Sequence, residues 1–159
     1  MKAEFVNPFI TAAADVLNAE TKGRTSRKGN LRLDHGSETS QEVTAMVGLT
    51  GGVRGVVMLA MPEAVARKIY GAMVGEDDPD MDEMAHSALG ELCNMITGQA
   101  ATALADAGHH TNLTPPTIIT GKGAQLSTLT MPRLVIPLST RHGELQIDIA
   151  ISEGDDAAA

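Results

Sequence analysis

Residues 80–107 read as one long amphipathic helix, and no other stretch of the chain restricts the fold as much. Residues advance about 100° each around a helix axis. With Ser87 set at 0°, Ala85, Leu89, Leu92, Ile96, Ala100 and Ala103 all fall between about 140° and 220°, a continuous apolar stripe. Asp80 with Glu83 reads as a D-x-x-E capping box, and the acidic run at 76–82 suits the positive end of a helix dipole. Gly108 is a natural stop. Such a stripe must be buried against other elements, and 159 residues suffice for one domain with its own core.

The elements available to bury it follow from the same periodicities. Asn7-Pro8 reads as a helix start, Asn capping and Pro at the first helical position, with Phe9, Ala12, Ala13, Val16 and Leu17 at helical spacing over about 8–19. Strands are expected near 30–35, at 41–50, where Val43, Ala45, Val47 and Leu49 alternate, and at 53–60 after the Gly51-Gly52 turn. Pro62 opens a second helix whose inner face is Ala64, Val65, Ile69, Ala72 and Met73, ending near Gly75. Three more strands, at 117–120, 131–139 and 144–151, close the chain, the last two as a hairpin around Arg141-His142-Gly143. The expectation is an α+β domain over residues 1–152, helices packed on an antiparallel sheet in the order α-βββ-αα-βββ, with a disordered tail at 153–159.

The outer face of the long helix carries the functional signal. Glu91 falls at about 40°, Asn94 at about 340° and Gly98 at about 20°, so Ser87, Glu91 and Asn94 share a line opposite the stripe. Gly90, Gly98, Ala101, Thr102 and Ala105 beside them are small, although an interior Gly costs about 1 kcal/mol relative to Ala. A flat strip with two polar groups standing on it suits close docking of another protein. A Glu and an Asn three apart on a solvated helix are also ordinary surface residues, and the pair alone does not decide between these readings.

Composition narrows the classes. Aromatic residues are 2% of the chain and the net charge is −8, which argues against base stacking and against a phosphate backbone as partner. The basic cluster at 22–28 lacks an apolar face and reads as a solvated loop. A single cysteine, Cys93, rules out an intrachain disulfide and a Cys-based zinc site, and it reads as a semi-buried small hydrophobe. His109-His110 follow a helix without ligand spacing. No signal-peptide pattern and no apolar run near the ~20 residues of a membrane span is present, so a cytoplasmic location is expected.

Ser87-Ala-Leu-Gly-Glu91-Leu-Cys-Asn94 resembles the S/D-x-x-x-E-x-x-N signature of the CheC/CheX family of chemotaxis phosphatases, and matches all three of its positions. The resemblance extends to Asn7-Pro8-Phe9, to residues 49–55 and to 116–121, and so covers nearly all of 3–151. The family's downstream proline corresponds to Pro115 or Pro116. Glu4-Phe-Val-Asn7 is a second E-x-x-N, but Asn7 before Pro8 is expected to cap and not to stand on a helix face, leaving one site per chain.

The resemblance implies a phosphorylated CheY-type response regulator as partner and its aspartyl phosphate as substrate. Phosphoryl transfer is governed by positioning and charge, and the Asn94 carboxamide, donor and acceptor together, suits holding a water in line with phosphorus. By resemblance Glu91 engages the regulator's active-site lysine. Ser87, Gly90, Gly98 and Ala101 would line the contact. No cofactor is expected on this chain, and Mg²⁺ belongs to the regulator. The rival readings are a non-catalytic module that binds a regulator or a flagellar switch component, and a small-molecule enzyme, against which the missing glycine-rich phosphate loop and nucleophile–base pair count. A homodimer is expected as well. The apolar final strands have little charge to blunt an open sheet edge, and the resemblance implies pairing by strand exchange.

Overall fold

A computed structural model describes residues 1–39, 41–128 and 131–155, at 37–39 by backbone alone. Along it run α1 (Ala3–Thr21), β1 (Ser26–Arg27), β2 (Arg32–Asp34), β3 (Ser37–Thr39), β4 (Val43–Gly51) and β5 (Val53–Met61). They are followed by α2 (Glu63–Val74), α3 (Glu83–Asp106), β6 (Thr111–Leu113), β7 (Thr117–Thr120), β8 (Gln125–Ser127), β9 (Arg133–Thr140) and β10 (Gly143–Glu153). The six expected strands are β2, β4, β5, β7, β9 and β10, and the order α-βββ-αα-βββ holds for them. The strands not foreseen, β1, β3, β6 and β8, have two or three residues each.

One eight-stranded antiparallel sheet has the order β1-β9-β10-β5-β4-β6, with β2 also on β9 and β7 also on β4, while β3 and β8 pair apart from it. Strand alternation sorts the side chains into two layers. Val43, Ala45, Val47 and Leu49 of β4, Val57, Leu59 and Met61 of β5, and Leu145, Ile147, Ile149 and Ile151 of β10 join one core with the helices. The opposite face carries Val56, Met58 and Ala150, close to β8, and a buried ionic cluster. There the Arg133 guanidinium, 1% exposed, lies 3.7 Å from the carboxylates of both Asp34 and Asp148 and donates to the Leu126 carbonyl. Among the described residues no helix is long and apolar enough to cross a membrane.

Four expectations change. First, α1 begins five residues before Pro8, so Asn7 is helical and not a cap. The cause is burial. Phe5 (1% exposed) and Val6 (5%) enter the core, worth roughly 1.5–3 kcal/mol each, against about 3 kcal/mol for an interior proline. The Phe5 ring also stands edge-on to His109 at 4.9 Å, which ties the start of α1 to the end of α3 and makes the two helices antiparallel.

Second, α3 is capped by Asp82, whose carboxylate accepts from the Ala85 N–H at 3.0 Å, and not by Asp80. In an acidic run several residues qualify as caps, and the one nearest the buried Ala85 is used. Ala64 of α2 and Ala103 of α3, read as inner-face residues, are exposed.

Third, the edge argument for a homodimer loses its premise. β10 lies between β9 and β5, and β9 is covered outside by β1 and β2. The outermost strands are two to four residues long, itself a way of blunting a sheet edge. Fourth, Glu153, placed in the tail, pairs with Val53, and the Gly154 N–H donates to the Gly52 carbonyl. The rest of that expected tail, 156–159, lies outside the described residues.

Candidate active site

Helix α3 is clamped from several sides before any of its outer residues is considered. Ala85, Leu89, Leu92, Cys93, Ile96, Ala100 and Leu104 are all buried at 1% or less. All but Ala85 lie in the same core as β4. At its end the His109 N–H donates to the Leu104 carbonyl while Gly108 takes φ +95°, a closure that glycine permits at little cost. Gln99 donates to the Asp15 carboxylate of α1 at 3.1 Å. The helix is therefore a fixed platform, and its outer side chains inherit that rigidity.

On this platform Ser87 and Glu91 are exposed and Asn94 is half-buried. Residues three and four apart on a helix stand about 5–6 Å apart at Cβ, so the three form one group. Among the described residues no hydrogen bond or ion pair engages the side chain of Ser87, Glu91 or Asn94. Two polar groups capable of strong bonds are thus left unspent on a rigid face. The local hydroxyls turn inward instead: Thr97 donates to the carbonyls of Cys93 and Asn94 at 3.0 and 3.1 Å.

The small residues do not all behave as the helical wheel implies. Gly98 and Ala101 are half-buried, and a Cβ added at Gly98 would meet nothing within 4 Å. Gly90 is buried, not part of an open strip. A Cβ there would lie 3.4 Å from both Ile118 Cδ1 and Pro116 Cβ. Of the two prolines left open above, Pro116 is the one set against Gly90. That segment is held by Thr114, whose hydroxyl accepts from the Gly48 N–H at 2.8 Å and whose own N–H donates to the Gly48 carbonyl at 3.0 Å. This flank has no local sequence signal, because it depends on contacts between β4 and residues more than sixty positions away. Met84 and Met95 do have one: the same wheel puts them at about 60° and about 80°, beside Glu91.

Other candidates lie elsewhere. Burial pushes the Cys93 thiol up to about 12, so it is protonated and inert at neutral pH. Glu4 and Asn7 are both exposed on α1, so capping does not discount them. Their end of α1 packs at His109, just past the end of α3 and roughly 20 Å from Asn94, and they do not join this site. A cleft of about 760 Å³ between α2, the end of α1 and the β9–β10 turn is lined by Arg67, Lys68, Gly71, Arg141 and His142 and contains none of the α3 group. The site is a helix face rather than a pocket.

The family described as chemotaxis phosphatase CheX matches residues 43–139, which include all of α3. The chain is 32% identical over 158 residues to the CheY-P phosphatase CheX of Thermotoga maritima, covering 96% of this chain and 97% of that one. In three dimensions it is similar to a chemotaxis protein CheX from Desulfovibrio desulfuricans, with a TM-score of 0.82, 30% identity, and 94% and 99% of the two chains covered. It is also similar to a chain of the CheX–CheY–BeF3–Mg²⁺ complex from Borrelia burgdorferi, with a TM-score of 0.80, 28% identity, and 94% and 98% covered.

Proposed function

Because this chain belongs to the family of the chemotaxis phosphatase CheX, we propose that it hydrolyses the aspartyl phosphate of a CheY-type response regulator. The observation that carries the reading is the pair Glu91 and Asn94, unspent among the described residues and standing on a fully backed helix. In the proposed reaction water attacks phosphorus opposite the carboxylate oxygen of the regulator's aspartate. The P–O bond to that oxygen breaks, and inorganic phosphate and free aspartate result. The Asn94 side-chain carbonyl accepts from the attacking water and its NH₂ donates to a phosphoryl oxygen, which fixes the in-line approach. The Glu91 carboxylate accepts from an ammonium of the regulator and sets the position of Asn94 over the phosphorus. Ser87, Gly98 and Ala101 form the surface the regulator meets. Gly90 acts from below, as the buried position against which Pro116 and Ile118 pack on the helix. Mg²⁺ is assigned to the regulator, where it would offset phosphoryl charge, and both proteins are placed in the cytoplasm.

The relative from Borrelia burgdorferi that has been crystallised with CheY, BeF3 and Mg²⁺ supports the choice of partner. For two-fold pairing of this chain the edge argument falls, since β9 and β10 are covered, and the pairing is proposed on the resemblance alone. The test is Asn94→Ala, assayed as decay of a phosphorylated CheY-type regulator at saturating regulator. The expected loss is about a hundredfold in kcat, the scale of a misplaced reactant, with the melting curve unchanged. Full activity in the variant would remove Asn94 from the mechanism. Binding without any hydrolysis by the unaltered chain would make it a non-catalytic module.

A further inference from the structure

The outer face of α3 is nearly free of charge. From Met84 to Ala105, Glu91 is the only Asp, Glu, Lys or Arg, in a chain of which such residues make up 20%. A helix face that met only water would carry several. In place of charges the face carries two large apolar side chains, Met84 at 72% exposure and Met95 at 36%. Met84 precedes Glu91 by seven residues and Met95 follows it by four, so the three stand in one row with the carboxylate between the thioethers. A single exposed methionine needs no explanation. Two in one row, bracketing a carboxylate that has no partner among the described residues, on a face depleted of other charge, have the composition of an interface core.

We propose that Met84 and Met95 are the apolar anchors of the regulator-docking face, closing over the partner on both sides of the Glu91 contact. The inference rests on the function proposed above and names the residues that decide affinity for the regulator. A carboxylate–ammonium pair in open water contributes little. The same pair ringed by apolar groups loses its water and gains strength, which is the arrangement that makes a contact dominate an interface. Methionine suits the task because its unbranched, polarisable side chain fits an irregular surface without prior shaping. Gly98 and Ala101, small and half-buried on the neighbouring line, allow the partner's backbone down to the level at which both thioethers can touch it. The occupant is a CheY-type regulator rather than a second copy of this chain. The face is continuous with Asn94, and two copies meeting here would set Glu91 against Glu91.

The experiment is the double variant Met84→Gln/Met95→Gln, with Met95→Leu beside it as the conservative control. The probe is a CheY-type regulator loaded with beryllofluoride and Mg²⁺ for binding, and the phosphorylated regulator for turnover. Kd and KM are expected to rise about tenfold or more in the double variant, while kcat at saturation stays within about twofold. The rise persists at raised salt, since the lost contacts are apolar, and Met95→Leu recovers most of it. Unchanged Kd and KM overturn the inference, as does a fall in kcat at constant KM. A change in solution mass on substitution also overturns it, since it assigns the face to self-pairing. If the unaltered chain binds the loaded regulator without hydrolysing the phosphorylated one, the proposed function fails while the Kd comparison still decides the anchors. If it binds no regulator, both fall.

Discussion

Replacing Gly98 by Ala separates what α3 needs in order to fold from what it needs in order to dock. Gly98 lies in the middle of the helix, outside the residues with positive φ, and a Cβ there would meet nothing within 4 Å. The added methyl therefore meets no steric cost and gains the helix preference of Ala over Gly, about 1 kcal/mol, part of it through a less flexible unfolded chain. In a chain of 159 residues that gain corresponds to a rise in Tm of roughly 2–4 °C. Gly90→Ala is the internal comparison. Its Cβ would lie 3.4 Å from Ile118 and Pro116, ordinary van der Waals contact, so the same helix gain is expected together with some added burial against that segment. Thermal melts followed by circular dichroism, with urea midpoints alongside, read both. Dephosphorylation of the regulator is then measured on the same samples. Gly98 is one turn beyond Asn94, so the methyl stands on the proposed docking face, and KM is expected to rise while stability rises too. A lower Tm for Gly98→Ala would refute the open helical environment. A higher Tm with unchanged KM would refute the need for close approach at this turn.

The remaining predictions use residues on the two faces of the helix. Glu91→Lys removes no hydrogen bond or ion pair among the described residues, so the melt should stay where it is. Affinity for a beryllofluoride-loaded regulator should fall by several kcal/mol, and retained affinity would exclude the lysine contact. Cys93 should resist thiol reagents at pH 8 in the folded protein and react only after urea unfolding, because burial holds its pKa at about 12; labelling of the folded chain at the rate of a free thiol would contradict this. The sign of the linked effect follows. The unfolded thiol ionises from about pH 9 while the folded one stays neutral, so stability falls as pH rises from 9 towards 12, and the urea midpoint should be lower at pH 10.5 than at pH 8.

How much of this was legible in the sequence depended on whether the cause was local. β4, β5, β9 and β10 carry their own alternation, and α2 and α3 their own 3.6-residue stripe, so they could be read without knowing what they touch. β1, β3, β6 and β8 have two or three residues, too short for a period, and exist only because a neighbouring strand offers its edge. The start of α1 was misplaced because Asn7-Pro8 is good local grammar for a cap, and local grammar yielded to the burial of Phe5 and Val6. The position of Glu91 and Asn94 on the outer face was legible from the wheel. The burial of Gly90 was not, because a wheel treats the helix as alone and the Thr114–Pro116 segment arrives from outside it.

Cys93 and Asn94 are consecutive residues, yet one is sealed in the core at 1% exposure and the other looks outward. Helix α3 is thus a wall one residue thick between interior and outer face, and the consequence concerns chain length as much as residue choice. Deleting one residue between Leu89 and Ile96 would turn everything after it by about 100° relative to what precedes. That splits the buried stripe and swings the later half of the outer face towards the core, whichever residue is lost. Only additions of about seven residues, two full turns, restore both faces at once, and between Glu91 and Asn94 they would part the pair by about 10 Å. Substitutions along α3 therefore act one face at a time, while a change in the number of residues between Leu89 and Ile96 disturbs both faces at once.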